Sequence, residues 1–275
     1  MAITHFQQNL VSTLLLKSTT EKIAFQQAIK EPIFMNAKSA KFPGIADITI
    51  GNYVKDTDID TQVLDDESIT LDFDQQKFFS IALDDLDQAQ SNSNILSAVV
   101  QRGSYALKNE IEKYMSSLHA GAGIVSGLGN STTPLEVNSA NVNDVILTIA
   151  ESLQTARADE DKFIIVPPWL WGRMVKADQT LATNNMEILG NGFIGSKYGL
   201  KIFVTNNVAN TTGAKWKVLA GDSEALRLAL NIDKLEAIRS EKRFSDIVRG
   251  LLVFGAVVSR PETLACATLS QIAEA

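Results

Sequence analysis

The sequence predicts an α+β fold in which extended segments and one long helix precede a compact mixed half. Three observations predict it. Residues 45–83 and the tail after 245 carry apolar side chains at a period of two or in short unbroken runs, the pattern of strands. Residues 93–118 switch to a spacing of three and four, the pattern of one amphipathic helix. Between 141 and 222 helix-like and strand-like stretches alternate. The chain has 275 residues and 45% hydrophobic content, enough for a sizeable core in one or two domains.

Residues 1–35 read as an arm. "FQQNLVSTLLL" and "TTEKIAFQQAI" are short helical patterns, and the proline in "KEPIFMNA" ends the second. Too few apolar groups are spaced to close a core, so the arm packs either on its own body or on a neighbouring subunit. Residues 36–86 read as an extended hairpin. Ile48 and Ile50 flank Thr49, while Ile69, Leu71 and Phe73 alternate with Thr70, Asp72 and Asp74. Phe79, Ile81 and Leu83 keep the period. Strands with one apolar and one acidic face are half-buried antiparallel strands. A two-stranded hairpin is marginal alone, so this one needs a surface to lie on.

The helix over 93–118 would reach roughly 39 Å. Ile95, Leu96, Val99, Val100, Gly103, Leu107, Ile111, Tyr114, Met115 and Leu118 form its stripe, with Lys108 and Glu112 as an i,i+4 pair on the polar side. Gly121, Gly123, Gly127 and Gly129 then mark a loop. Asn141 with Asp144 offers a cap to the helix that follows. "KFIIVPP" reads as a buried strand, "WLWGRMVKA" as a short helix, and "GLKIFVTNNV" and "KWKVLAG" as strands. "DSEALRLALN" fits helix or strand. The tail "IVRGLLVFGAVVSRPETLACATL" is strand-like.

Charge and motifs exclude several function classes. The net charge is −7, and a nucleic-acid binder would carry a basic stripe. The acid is concentrated: Asp56, Asp58, Asp60, Asp65, Asp66, Glu67, Asp72 and Asp74 stand against Lys55 alone within 54–74. Asp56, Asp58, Asp60, Gln62 and Glu67 fall at calcium-loop positions. Thr61 replaces the required glycine, however, Leu64 brings no oxygen, and no helices flank the loop. A solvated acidic loop, able to pair with a basic patch on a neighbour, fits better. "GNGFIG", with Gly190, Gly192 and Gly195, has dinucleotide-loop spacing, but a strand-like run follows where a helix must begin, and no acidic residue follows at the required distance. Those glycines and Gly199 are read as turn residues.

Asp84, Asp85 and Asp87 have no substrate pocket to serve. Trp169 and Trp171 are two apart, so at least one packs in a core or an interface. Single Cys266 and distant His5 and His119 make no zinc cluster. No stretch reaches the ~18 apolar residues of a membrane span, and no basic leader opens the chain. No cofactor, metal, membrane partner or catalytic site is expected.

In their order, these elements resemble the major capsid proteins of tailed phages with the Hong Kong 97-like fold. The resemblance is carried by "FDQQKFFSIALDDLDQAQSNSNILSAVVQRGSYALKNEIEKYM", "KFIIVPPWLWGRMVKAD", "ILGNGFIGSKYGLKIFVTNNV" and "FSDIVRGLLVFGAVVSRPETLACATL". It implies an N-terminal arm (1–35), an extended hairpin or E-loop (36–86), a peripheral domain with the spine helix (87–140 and 245–275) and an axial domain (141–244). It also implies self-assembly into hexameric and pentameric capsomers of an icosahedral shell around double-stranded DNA, held without sequence-specific contacts. A separate scaffolding protein and a portal would be partners, with room for decoration proteins. The location would be the virion capsid, built in the host cytoplasm. An encapsulin-like nanocompartment is the alternative within the fold, and a nucleotide-binding enzyme using 190–195 the alternative outside it. Interface roles are expected for Lys55, Asp56, Asp58, Asp60, Asp65, Asp66, Glu67 and Phe73 of the hairpin, for Gly190, Gly192 and Gly195 of the glycine turn, and for Trp169.

Overall fold

The computed structural model describes residues 24–30, 33–34, 39–42, 68–84, 95–158, 161–177, 193–240 and 244–273, together with Ile50, Asn52, Lys55 and Thr61. Four helices and thirteen strands are assigned among these residues. In chain order they are α1 (Ala24–Ala28), β1 (Ile33–Phe34), β2 (Ser39–Phe42), β3 (Ile69–Asp72), β4 (Gln75–Asp84), α2 (Ile95–Ser117) and β5 (Leu135–Val137). There follow α3 (Val142–Thr155), β6 (Lys162–Val166), α4 (Pro168–Ala177), β7 (Phe193–Lys197), β8 (Leu200–Val204), β9 (Asn210–Thr211), β10 (Lys215–Asp222), β11 (Leu226–Arg239), β12 (Ser245–Val258) and β13 (Leu264–Gln271).

The strands form three sheets: a four-stranded sheet in the order β1-β11-β12-β4, a seven-stranded sheet in the order β5-β13-β10-β6-β8-β7 with β9 beside β10, and the pair β2-β3. The seven-stranded sheet explains why its sequences read as unbroken apolar runs, because both faces are covered. Phe163 and Ile165 of β6, Phe203 of β8, Leu219 of β10 and Cys266 of β13 enter one core with α1 and α2. Ile164, Val166, Ile202, Val218, Ala220 and Ala267 enter a second core with Ile146, Ile149 and Leu153 of α3 and Leu170 and Met174 of α4.

The first core is shared with the four-stranded sheet. Leu228, Leu230, Leu252 and Phe254 join it, and Leu107, Ile111 and Met115 of α2 lie between the sheets. The spine helix is, as expected, long: its 23 residues make it the longest helix among the described residues. Its Gly103 and Gly250 of β12 make room for one ring. A Cβ at Gly250 would stand 2.4 Å from Phe79, and one at Gly103 would stand 3.1 Å from it. Glycine in mid-helix and mid-strand carries a cost of about 1 kcal/mol; here it admits an aromatic side chain.

Two expectations are corrected and two open readings resolved. In "DSEALRLALN" the chain turns at 223–225 and is strand from Leu226 onward: β11 pairs with β12 from Leu226–Val258 to Arg239–Asp246. Lys108 and Glu112 are not on a polar face, since they are 7% and 5% exposed; the helix is covered on more than its apolar stripe. Asn141 does not cap α3 with its side chain. Its Oδ1 accepts from the amide of Asn138, whose own Oδ1 accepts the amides of Ala140 and Asn141, so the asparagines close a turn on each other. Finally, Ala24–Ile29 packs on its own body, with Phe25 only 1% exposed, which settles that part of the arm in favour of cis packing.

Strand pairing also groups the chain differently from the expected ranges. A boundary at 244/245 falls between two strands paired over their full lengths. β13, expected with the peripheral part, lies between β5 and β10 of the seven-stranded sheet.

Candidate assembly surfaces

The root of the expected hairpin is fixed to the body. β2 pairs antiparallel with β3, from Ser39↔Asp72 to Phe42↔Ile69. Leu71 buries against Ala229, with Phe42, Phe73 and Val257 around them. β3 crosses β12 so closely that a Cβ at Gly255 would lie 2.1 Å from the carbonyl oxygen of Asp72. The Arg227 guanidinium stands 5.7 Å over the Phe42 ring. At the turn into β4, Tyr114 of the spine helix donates its hydroxyl to the Asp74 carboxylate at 2.9 and 3.1 Å, and its ring meets Phe254 edge-on at 5.6 Å. Burial and the bond to Asp74 push the Tyr114 hydroxyl pKa up to about 12.

Of the expected finger residues, Lys55 is exposed in a turn and Phe73 is half-buried at the root. Asp56, Asp58, Asp60, Asp65, Asp66 and Glu67 lie outside the described residues. Ile50 is 93% exposed.

The outer face of the four-stranded sheet leaves an aromatic ring in solvent. Strand alternation sends Phe79 inward, so Phe78 must point outward, and it is 77% exposed. Phe78 is paired with Leu251 and Ser80 with Arg249, which pairs in turn with Glu236. These residues line a hollow of about 490 Å³. Phe244, near the start of β12, is 82% exposed. Sequence reading passed over Phe78, although the adjacent pair "FF" in an alternating strand signals one inward and one outward ring.

At the glycine turn, β7 pairs with β8 with a register shift between Phe193 and Gly195, and Gly195 has φ +147°. Tyr198 and Gly199, with φ of +51° and +78°, close a two-residue hairpin of the kind that matches strand twist. A strand, not a helix, follows Gly195, so the geometry a pyrophosphate needs is missing there. Gly190 and Gly192 lie outside the described residues. Trp169 is half-buried on α4, its ring 6.4 Å from Trp216 and under the Arg173 guanidinium at 5.6 Å. Both of these ring contacts are within the chain. Arg173 also donates to the carbonyls of Val137 and Ile272, joining α4 to the ends of β5 and β13. Among the described residues, no group of three or more His, Cys, Asp or Glu could hold a metal, and no helix is long and apolar enough to cross a membrane.

A family of phage capsid proteins matches residues 68–267, well over half of the chain. The chain belongs to that family. The capsid protein's fold is similar to a structure from Mycobacterium phage Che8, with TM-score 0.69, 20% identity, and coverage of 90% of this chain and 92% of the other. It is similar to the capsid structure of cyanophage P-SCSP1u, with TM-score 0.67, 15% identity, and coverage of 93% and 89%. It is also similar to a virus-like particle from Pyrococcus furiosus, with TM-score 0.58, 13% identity, and coverage of 96% and 99%. The capsid protein therefore has the Hong Kong 97-like fold and is a major capsid protein of the tailed-phage type. No curated protein sequence matches it.

Proposed function

We propose that copies of this chain form hexameric and pentameric capsomers that close an icosahedral shell around double-stranded DNA, assembled in the host cytoplasm with a separate scaffolding protein and a portal. The subunit works through contact surfaces and has no catalytic site. The observation that carries this reading is an exposed aromatic ring, Phe78, on a sheet face beside the fastened root of the hairpin. A monomer gains nothing by exposing the Phe78 ring beside half-buried Leu251, whereas a neighbour's chain laid across them removes that surface from water. We assign the receiving role to this face and the projecting role to 54–74, whose acidic residues keep the tip solvated until a partner meets it. The glycine turn and Trp169 belong to the same set of proposed contacts, and the arm, hairpin, peripheral and axial divisions are part of this reading.

The test is expression of the chain, alone and with a candidate scaffold, followed by electron microscopy. Closed shells are expected. Deletion of 56–66 should leave folded subunits that do not make stable shells, and normal shells from the deletion would remove the interface role of the finger. Shells that enclose a protein cargo and no nucleic acid would favour the nanocompartment, a reading kept in view by the likeness to the Pyrococcus furiosus particle.

A further inference from the structure

Glu112 of the spine helix is 5% exposed, and three donors converge on its carboxylate. Oε1 accepts the Ala24 amide at 3.0 Å. Oε2 accepts the Thr205 hydroxyl at 2.7 Å and the Asn207 side-chain amide at 2.7 Å. Asn207 also donates to Asn109 at 3.1 Å, and buried Lys108 lies one turn before Glu112 on the same helix. Ala24 begins α1, whose five residues are far too few to stand alone, and its first amides have no partner inside the helix. The segment is held again at its far end. The Lys30 amide donates to the Ser223 carbonyl at 2.9 Å, and its ammonium donates to Glu224 at 2.5 Å. Glu224 is in turn held by Arg260 at 3.0 Å and Arg227 at 3.5 Å.

We propose that Ala24–Lys30 is a strap fastened to its own subunit by two carboxylates, with Glu112 as the clasp that couples the strap to the spine helix and to the β8–β9 connection at once. Every group facing the carboxylate in this set is a donor. When the strap lifts, the Ala24 amide and a buried charge lose each other together, while Phe25, Ala28 and Ile29 leave the core. The strap therefore opens as one unit, ahead of the sheets behind it, and its closure fixes the point on the subunit from which residues 1–23 depart. This inference rests on the geometry of the single chain and stands apart from the shell reading.

Hydrogen exchange of the full chain, followed by mass spectrometry on unassembled subunits, tests it. Glu112→Gln keeps the shape of the side chain but presents one acceptor oxygen and an NH2 group to three donors. Exchange of the amides in 24–29 is expected to rise roughly tenfold to a hundredfold, while β6 and β10 keep their protection. Thr205→Val, which removes one donor and leaves the charge, should give a smaller rise in the same segment. An unchanged 24–29 segment, or an equal rise in β6 and β10, would overturn the clasp and reduce Glu112 to general support of the core. If Glu112→Gln does not accumulate as folded protein, Thr205→Val and Asn207→Ala decide: a confined rise supports the clasp, and a spread or absent rise overturns it.

Discussion

Phe79 sits where a helix and a strand each give up a side chain, and this makes the two glycines unequal. At Gly103 alanine would gain helix propensity of about 1 kcal/mol, set against a ring 3.1 Å away that can shift slightly. At Gly250 the ring is 2.4 Å away and the strand is tied on both sides. Gly250→Ala is expected to destabilise the subunit by about 1–3 kcal/mol, and Gly103→Ala by clearly less, as read by denaturant unfolding. Adding Phe79→Leu to Gly250→Ala should recover part of the loss, a non-additivity that a double-mutant cycle measures. Tyr114 offers a second check. Its neutral form is favoured in the fold, so its share of stability is complete below the ordinary pKa of 10.0 and is lost as pH rises through about 12. Ultraviolet titration should show a late-titrating component that disappears in Tyr114→Phe and moves down in Asp74→Asn.

At the scale of elements, the strap and the hairpin root behave as separate attachments to one body. Leu71, 1% exposed, fastens the root. Leu71→Ala should cost about 2–3 kcal/mol locally, raising exchange in β2 and β3 while leaving β6 and β10 unchanged. The strap's outer end depends on Glu224, whose carboxyl is held below its usual range, first by the hydrogen bond from Lys30 and then by the charges of Arg260, Lys30 and Arg227. Buried Asp222, 3.7 Å from Arg260, faces the same group. A lowered carboxylate pKa gives stability that is present above the unfolded value and lost as pH falls through the folded one. Protection of Ala28–Lys30, taken relative to the intrinsic exchange rate at each pH, is therefore expected to fall on acidification below the ordinary carboxylate range, and Glu224→Gln should remove that dependence.

Which elements were legible follows from how many faces each one buries. The β6 run "KFIIV" announced itself because both its faces are covered, and the spine helix because its stripe persists over many turns. Lys108 and Glu112 were misread because i,i+4 charges on an isolated helix belong in water; Glu112 is covered by the strap and the Asn207 loop, through contacts 88 to 95 residues apart in sequence. "DSEALRLALN" fits either period, and the decision came from its partner β12, which no local pattern contains. The Asn138 and Asn141 turn was hidden for a simpler reason: either asparagine can cap, and the backbone decides which one turns back.

For the whole molecule, the contrast is between a doubly covered sheet and a sheet whose second face is covered by the hairpin root at Ala229 and Gly255 but leaves Phe78 exposed. The finger's acidic residues and the turn glycines were visible in composition, yet the face that would receive a neighbour was not, because Phe78, Leu251 and Arg249 meet only through long-range pairing. Phe78→Ser should change subunit stability by no more than about 0.5 kcal/mol, as befits an exposed position, while lowering the yield of closed shells in electron micrographs. Normal shell yield from a folded variant would take Phe78 out of the contact.

The ring between Gly103 and Gly250 also has a mechanical meaning. It is a peg seated in two opposing notches, so sliding the spine helix along the sheet would require the peg to climb out.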